Sequence, residues 1–150
     1  MKTWKKFAHV NAKTLDGAAA LMQKGNAAMI AGGTDLLGAL RFEILPTHPE
    51  VVVNLKSIPG LDYIKEEGDL LKIGALTRLE DIAKSPIVQA RYQALAEAAH
   101  RTASPHIREM GTIGGNICQS RQSLLLHPQR RQDMLCHERR EPIPLDFRRR

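Results

Sequence analysis

The ten residues MIAGGTDLLG, from Met29 to Gly38, limit what this chain can fold into more than any others. An apolar run stops at Gly32-Gly33, a threonine and an aspartate follow, and apolar residues return at once. A glycine pair permits backbone conformations and close approaches that a side chain forbids. Ala27-Ala28-Met29-Ile30 suits a short buried strand, and Leu36, Leu37, Leu40, Ile44 and Leu45 recur at helical spacing. The pattern predicts strand, turn and helix over residues 27–44. A second glycine pair stands far downstream, in Gly111-Thr112-Ile113-Gly114-Gly115-Asn116. Two tight turns satisfy this pattern, and so do two loops closing on one extended ligand.

The surrounding grammar is alternating. Phe7–Val10 suits a strand, and Thr14 caps a helix with Leu15, Ala18, Ala19 and Met22 on one face and Gly25 at its end. Val51–Leu55 reads as another strand, closed by Ile58-Pro59-Gly60. Tyr63–Lys65 and Leu70–Ile73, joined through Glu66–Asp69, read as a hairpin. Thr77 with Glu80 three residues on has the form of a capping box opening a helix to Lys84. Ser85-Pro86 opens an alanine-rich helix through His100, and Thr102–Arg108 is read as a loop. The expected fold class is therefore an α/β lobe over residues 1–50 followed by an α+β lobe over residues 51–119.

Beyond residue 120 the vocabulary changes. Every glycine, alanine, valine, threonine and lysine lies before it, and from Arg121 onward there are eight arginines against four acids. Residues 120–150 thus read as a basic tail, either disordered or frame-shifted. A divergent domain start is the third alternative.

Charge and composition narrow the function classes. The net charge of +6 is concentrated in the tail, and aromatic residues are only 4% of the chain, too few for base-stacking platforms. No apolar run is long enough to span a bilayer, and Met1–Phe7 has no apolar stretch behind its lysines. The two cysteines, Cys118 and Cys136, form no disulfide framework or metal-ligand set. His9, His48, His100 and His106 share no ligand spacing. Neither a Ser/His/Asp nor a Cys/His constellation has a supporting motif. The expectation is a reduced, cytoplasmic chain with no catalytic or metal-ligating residue, and with neither a membrane span nor a nucleic-acid partner.

Ala31-Gly32-Gly33-Thr34-Asp35 has features that a phosphate would need. Main-chain N–H groups come closest to an anion where no Cβ intrudes, and a helix start supplies unpaired ones. Thr34 adds a hydroxyl. Asp35 would repel phosphate, so it is assigned to capping or to facing away. Neither the dinucleotide pattern G-x-G-x-x-G nor the P-loop pattern is present. Arg108 and Glu109, beside the second pair, read as a local or solvated ion pair.

Three segments in order carry a family resemblance: AGGTDLL after a short strand, LKIGALTRLEDI in the middle, and ASPHIREMGTIGGNI further on. Over residues 1–119 the chain resembles the flavoprotein (medium) subunits of molybdenum hydroxylases, the xanthine dehydrogenase and carbon monoxide dehydrogenase group. The resemblance implies a two-lobed FAD-binding fold of the molybdopterin dehydrogenase flavoprotein type. It places Ala31, Gly32, Gly33, Thr34, Asp35 and Leu36 on the FAD pyrophosphate, and Thr112, Ile113, Gly114, Gly115 and Asn116 on the same cofactor.

The activity implied is oxidoreduction: electrons pass from iron–sulfur clusters of partner subunits through FAD to an acceptor. The molybdenum cofactor and the clusters are expected on a molybdenum-cofactor subunit and an iron–sulfur subunit, not on this chain. Family subunits are longer and continue past the second loop with an aspartate-containing segment, where this chain has its arginine-rich tail. A C-terminally incomplete fold is therefore expected. A non-catalytic remnant with weak or no FAD binding is the alternative, and a nucleic-acid or acidic-surface binder acting through the tail is a further one.

Overall fold

The computed structural model describes residues 5–43 and 45–119. The expectations for residues 120–150, including the tail readings, lie outside these. Within Met1–Gln119, a single compact unit, two kinds of architecture follow one another.

The first is a parallel sheet. Strands β1 (Ala8–Asn11), β2 (Ala27–Ile30) and β3 (Val51–Asn54) lie in the order β1-β3-β2, with helices α1 (Leu15–Gln23) and α2 (Leu36–Arg41) between them in sequence. Val10 and Met29 both face Val53 in register. Val52 and Val53 are almost wholly buried, because the middle strand of a covered parallel sheet has neither a free edge nor an open face. Ala12, Ala18, Val53 and Ile58 form the core of this part, with Leu21 and Met22 packed on it. At the carboxyl end of the sheet, Asn54 Nδ2 donates to Asn11 Oδ1 at 2.8 Å.

The second part is a hairpin with helices. Strands β4 (Ile64–Glu67) and β5 (Leu70–Ile73) pair antiparallel across the two-residue turn Gly68-Asp69, with Gly68 at φ +60°. Ile64, Leu71 and Ile73 pack on a core of Ile82, Ala83, Val88, Ala96 and Ala99. Those residues come from α3 (Leu79–Lys84), α4 (Pro86–Arg91) and α5 (Gln93–Arg101), after which α6 (Pro105–Met110) and α7 (Ile113–Cys118) close the described chain. An α/β part followed by an α+β part is the class the sequence predicts.

Several local expectations change. The boundary drawn at residue 50 falls just before β3, but β3 is the strand that β1 and β2 both pair with, so it belongs with the first sheet. Thr14 does cap α1, accepting from the Gly17 N–H at 3.1 Å, and Gly25 ends it at φ +80°. The buried face of α1, however, is Ala18 with Leu21 and Met22, whereas Leu15 is exposed. α2 stops at Arg41, two residues before Glu43 takes a positive φ of 52°.

The alanine-rich helix is two helices, interrupted where Tyr92 adopts φ −131°, ψ 47° and packs on the second core. Thr102–Arg108 is only partly loop, since Pro105 opens α6. The Thr77–Glu80 capping box does not form. Thr77 is buried and donates its hydroxyl to the Tyr63 carbonyl at 3.0 Å, while the Glu80 carboxylate is occupied by Arg108 and Lys84.

Candidate flavin-nucleotide site

Ala31–Asp35 leaves the carboxyl end of β2, the end of an open parallel sheet at which α/β folds receive ligands. Gly33 lies at φ +79°, a region other residues rarely adopt. Gly32 is glycine for a different reason. A methyl group there would overlap the Met110 carbonyl oxygen and stand 2.9 Å from its carbon and 3.0 Å from Gly111 Cα. The backbone ahead of the second glycine pair therefore lies directly against the first pair. The contact continues on either side. A methyl on Gly111 would lie 3.8 Å from Thr34 Oγ1, and one on Gly115 would lie 4.0 Å from the Ala31 methyl. The two motifs, more than seventy residues apart in sequence, make one place.

The second motif is not the loop its sequence suggested. Gly114 and Gly115 form the first turn of α7, and neither has a positive φ. Thr112 is the N-cap, its Oγ1 accepting from the Gly115 N–H at 3.2 Å. Gly114 permits a close approach: a methyl there would stand 2.7 Å from the Ala75 carbonyl oxygen. The segment is sewn to the start of α3 and the stretch before it by three hydrogen bonds. The Leu79 N–H donates to Gly111 O at 3.0 Å, Ile113 N–H to Thr77 O at 2.9 Å, and Gly114 N–H to Ala75 O at 2.9 Å.

The donors left over define the chemistry. Among the described residues, the N–H groups of Gly32, Gly33 and Thr34 have no protein acceptor. Three consecutive main-chain donors beside paired glycines are suited to an anion with several oxygens. Thr34 is exposed and Asp35 half-buried, and the Asp35 side chain makes no capping hydrogen bond on α2. Because α2 and α7 are each six residues long, their dipoles add little, and the free amides count for more. Ala31 is thus brought beside Gly115, and Gly32 and Thr34 beside Met110-Gly111. Ile113 instead packs inward on the second core.

Behind this surface stands a residue whose partner the sequence hid. Arg108 is buried at 6% exposure, and its Nε donates to Glu80 Oε2 at 2.8 Å. It does not pair locally with Glu109 or sit in solvent. Hydrogen bonds from Arg108 first, and from Lys84 second, hold the Glu80 carboxyl below the usual carboxylate value. No local pattern signals a pair 28 residues apart, and the apparent capping box at Thr77 gave Glu80 a different explanation.

No group of three or more His, Cys, Asp or Glu among the described residues is arranged to hold a metal ion. No helix among them is long and apolar enough to cross a membrane.

A parallel sheet with a glycine-rich segment at its carboxyl end is an arrangement at which α/β folds receive ligands. Residues 5–128 match the family described as the FAD binding domain in molybdopterin dehydrogenase, and the chain belongs to that family. It is 40% identical over 114 residues to the carbon monoxide dehydrogenase medium chain of Hydrogenophaga pseudoflava, covering 75% of this chain and 39% of that one. It is 38% identical over 121 residues to the nicotinate dehydrogenase FAD-subunit of Eubacterium barkeri, covering 77% of this chain and 40% of the other. A solved structure of the Hydrogenophaga pseudoflava carbon monoxide dehydrogenase, lacking the Mo-pyranopterin moiety of its cofactor, superposes with a TM-score of 0.72. There the identity is 39%, over 77% of this chain and 40% of that one. The chain spans about two-fifths of the length of these relatives.

Proposed function

We propose that this chain binds FAD as part of the flavoprotein component of a molybdenum-hydroxylase-type oxidoreductase. The observation that carries this is the contact of Gly32 with the Met110 carbonyl, which sets three unpartnered amides beside the N-terminal turn of α7. The donor set suits the cofactor: a diphosphate needs several N–H donors at close range, and no side chain stands in their way at Gly32 and Gly33. In this reading Ala31 to Leu36 hold the pyrophosphate, with the Thr34 hydroxyl as an added donor. Thr112 to Asn116 face the same ligand, and Asn116 offers an amide able both to donate and to accept.

Bound FAD would supply two-electron and one-electron redox chemistry, which the protein itself need not provide. The chain's own task is then to hold the dinucleotide and orient it. Electrons would come from iron–sulfur clusters on a partner subunit, downstream of a molybdenum-cofactor subunit, and leave to an acceptor. The names of the relatives, a medium chain and a FAD-subunit, support such an assembly. A cytoplasmic location belongs to the same reading, as does a division into a sheet lobe and a hairpin-helix lobe.

The test is a titration of FAD fluorescence with the purified chain, alongside its thermal unfolding with and without FAD. Quenching that saturates, together with a raised unfolding midpoint, is expected. A folded chain that changes neither would sink the proposal.

A further inference from the structure

Arg108 is the one charged side chain among the described residues that is buried. Two of its guanidinium nitrogens make three hydrogen bonds. Nε donates to Glu80 Oε2 on α3 at 2.8 Å, and Nη1 donates to the carbonyls of Thr102 at 3.3 Å and Ala103 at 3.2 Å. Ala103 is held at φ +51°, a left-handed conformation costly for a residue with a Cβ. One side chain therefore ties α3, the strained turn ahead of α6, and α6 itself.

The other end of α6 is Met110, whose carbonyl lies against Gly32, and the next residue, Gly111, receives the Leu79 N–H of α3. α6 is thus fixed to α3 at two points: by Arg108 through Glu80, and by Gly111 through Leu79. The height of the Met110 carbonyl over Gly32-Gly33 depends on both.

We propose that Arg108 is a positioning residue for the dinucleotide site. It does not touch the ligand; it sets α6 so that the Met110–Gly111 backbone supports the amides of Gly32, Gly33 and Thr34. This rests on the FAD reading above. Arginine is required because a planar fork can serve a carboxylate and two carbonyls together, whereas a lysine ammonium is a point donor.

The experiment compares FAD dissociation constants and thermal midpoints for the wild-type chain, Arg108→Lys, Arg108→Ala and Val88→Ala. Val88 is wholly buried in α4, outside the proposed site, and serves as a purely structural loss. Arg108→Lys is expected to weaken FAD binding about tenfold, the equivalent of one charge-assisted hydrogen bond. Val88→Ala is expected to lower the midpoint while leaving FAD affinity unchanged. Millimolar guanidinium should restore part of the affinity of Arg108→Ala and none to Val88→Ala.

Equal FAD affinity in wild type and Arg108→Lys overturns the positioning role and leaves the FAD reading intact. Affinity that falls in Val88→Ala as much as in Arg108→Lys also overturns it, because stability alone then accounts for the loss. A wild-type chain that binds no FAD overturns both. Should neither Arg108 variant fold, Glu80→Gln takes their place: weaker FAD binding supports the role and unchanged binding refutes it.

Discussion

Gly32→Ala tests the joining of the two glycine segments directly. The new methyl would sit 2.9 Å from the Met110 carbonyl carbon and 3.0 Å from Gly111 Cα, and would overlap the oxygen between them. Comfortable separation is about 3.5–4.0 Å, so one backbone must retreat by about 1 Å. The Met110–Gly111 peptide is poorly placed to do so. Gly111 N–H donates to Ile107 O at 2.6 Å, and Gly111 O accepts from Leu79 N–H at 3.0 Å. Gly32, whose own N–H has no protein acceptor among the described residues, is held less tightly and therefore moves.

Overpacking of this kind costs about 1–3 kcal/mol of stability. A 1 Å shift also lengthens an N–H···O contact from about 2.9 Å to beyond hydrogen-bonding range. Losing one such bond to a charged oxygen weakens binding by about 1.5–3 kcal/mol, roughly 10- to 150-fold. Urea denaturation and FAD titration read the two effects separately. Gly25→Ala is the control: unlike Gly32 it sits at positive φ, +80°, so the substitution is strained, but nothing lies within 4 Å of the added methyl. It should lose about 1 kcal/mol of stability and no FAD affinity. A Gly32→Ala protein with wild-type stability and wild-type affinity would refute the reasoning.

Other substitutions probe the same architecture. Gly38→Ala lies within α2 with open space around it, and should raise stability by about 0.5–1 kcal/mol in thermal or urea unfolding. Thr112→Ala removes the cap of α7 and should cost about 1 kcal/mol, read by urea unfolding, with weaker FAD binding alongside. Glu80 gives a pH dependence of known sign. Its folded value is lowered below the ordinary 4.5, so its contribution is complete above that value and is lost as pH falls through the folded one. Unfolding curves between about pH 7 and about pH 3 should show a shallower acid loss in Glu80→Gln than in wild type.

Local chemistry made much of this fold legible. The Thr14 cap, the β4–β5 hairpin and the strand ahead of Gly32 all depend on neighbours in sequence, and all appear where periodicity and turn residues put them. What escaped depends on distant partners. β3 looks like the opening of a second lobe until its pairing with β1 and β2 is known. Thr77 and Glu80 have capping-box spacing, yet Tyr63 O and Arg108 claim their side chains. At the candidate site, the residue types were readable and the reason for them was not. Gly114 resembles a turn glycine but serves the close approach of Ala75 to a helix.

The strand order β1-β3-β2 carries a consequence for how the chain reaches its native state. Among the described residues, neither β1 nor β2 has a hydrogen-bonding strand neighbour other than β3, and β3 is the last of the three in sequence. A growing chain that has released its first fifty residues holds two strands and two short helices with no ladder to join. Loop closure over about forty residues, from Ala8 to Val51, has to precede any gain from the sheet. The step that closes the sheet is then the docking of a single four-residue valine-rich segment between two waiting edges. Conditions that delay or occupy that segment leave both edges open to pairing with another chain.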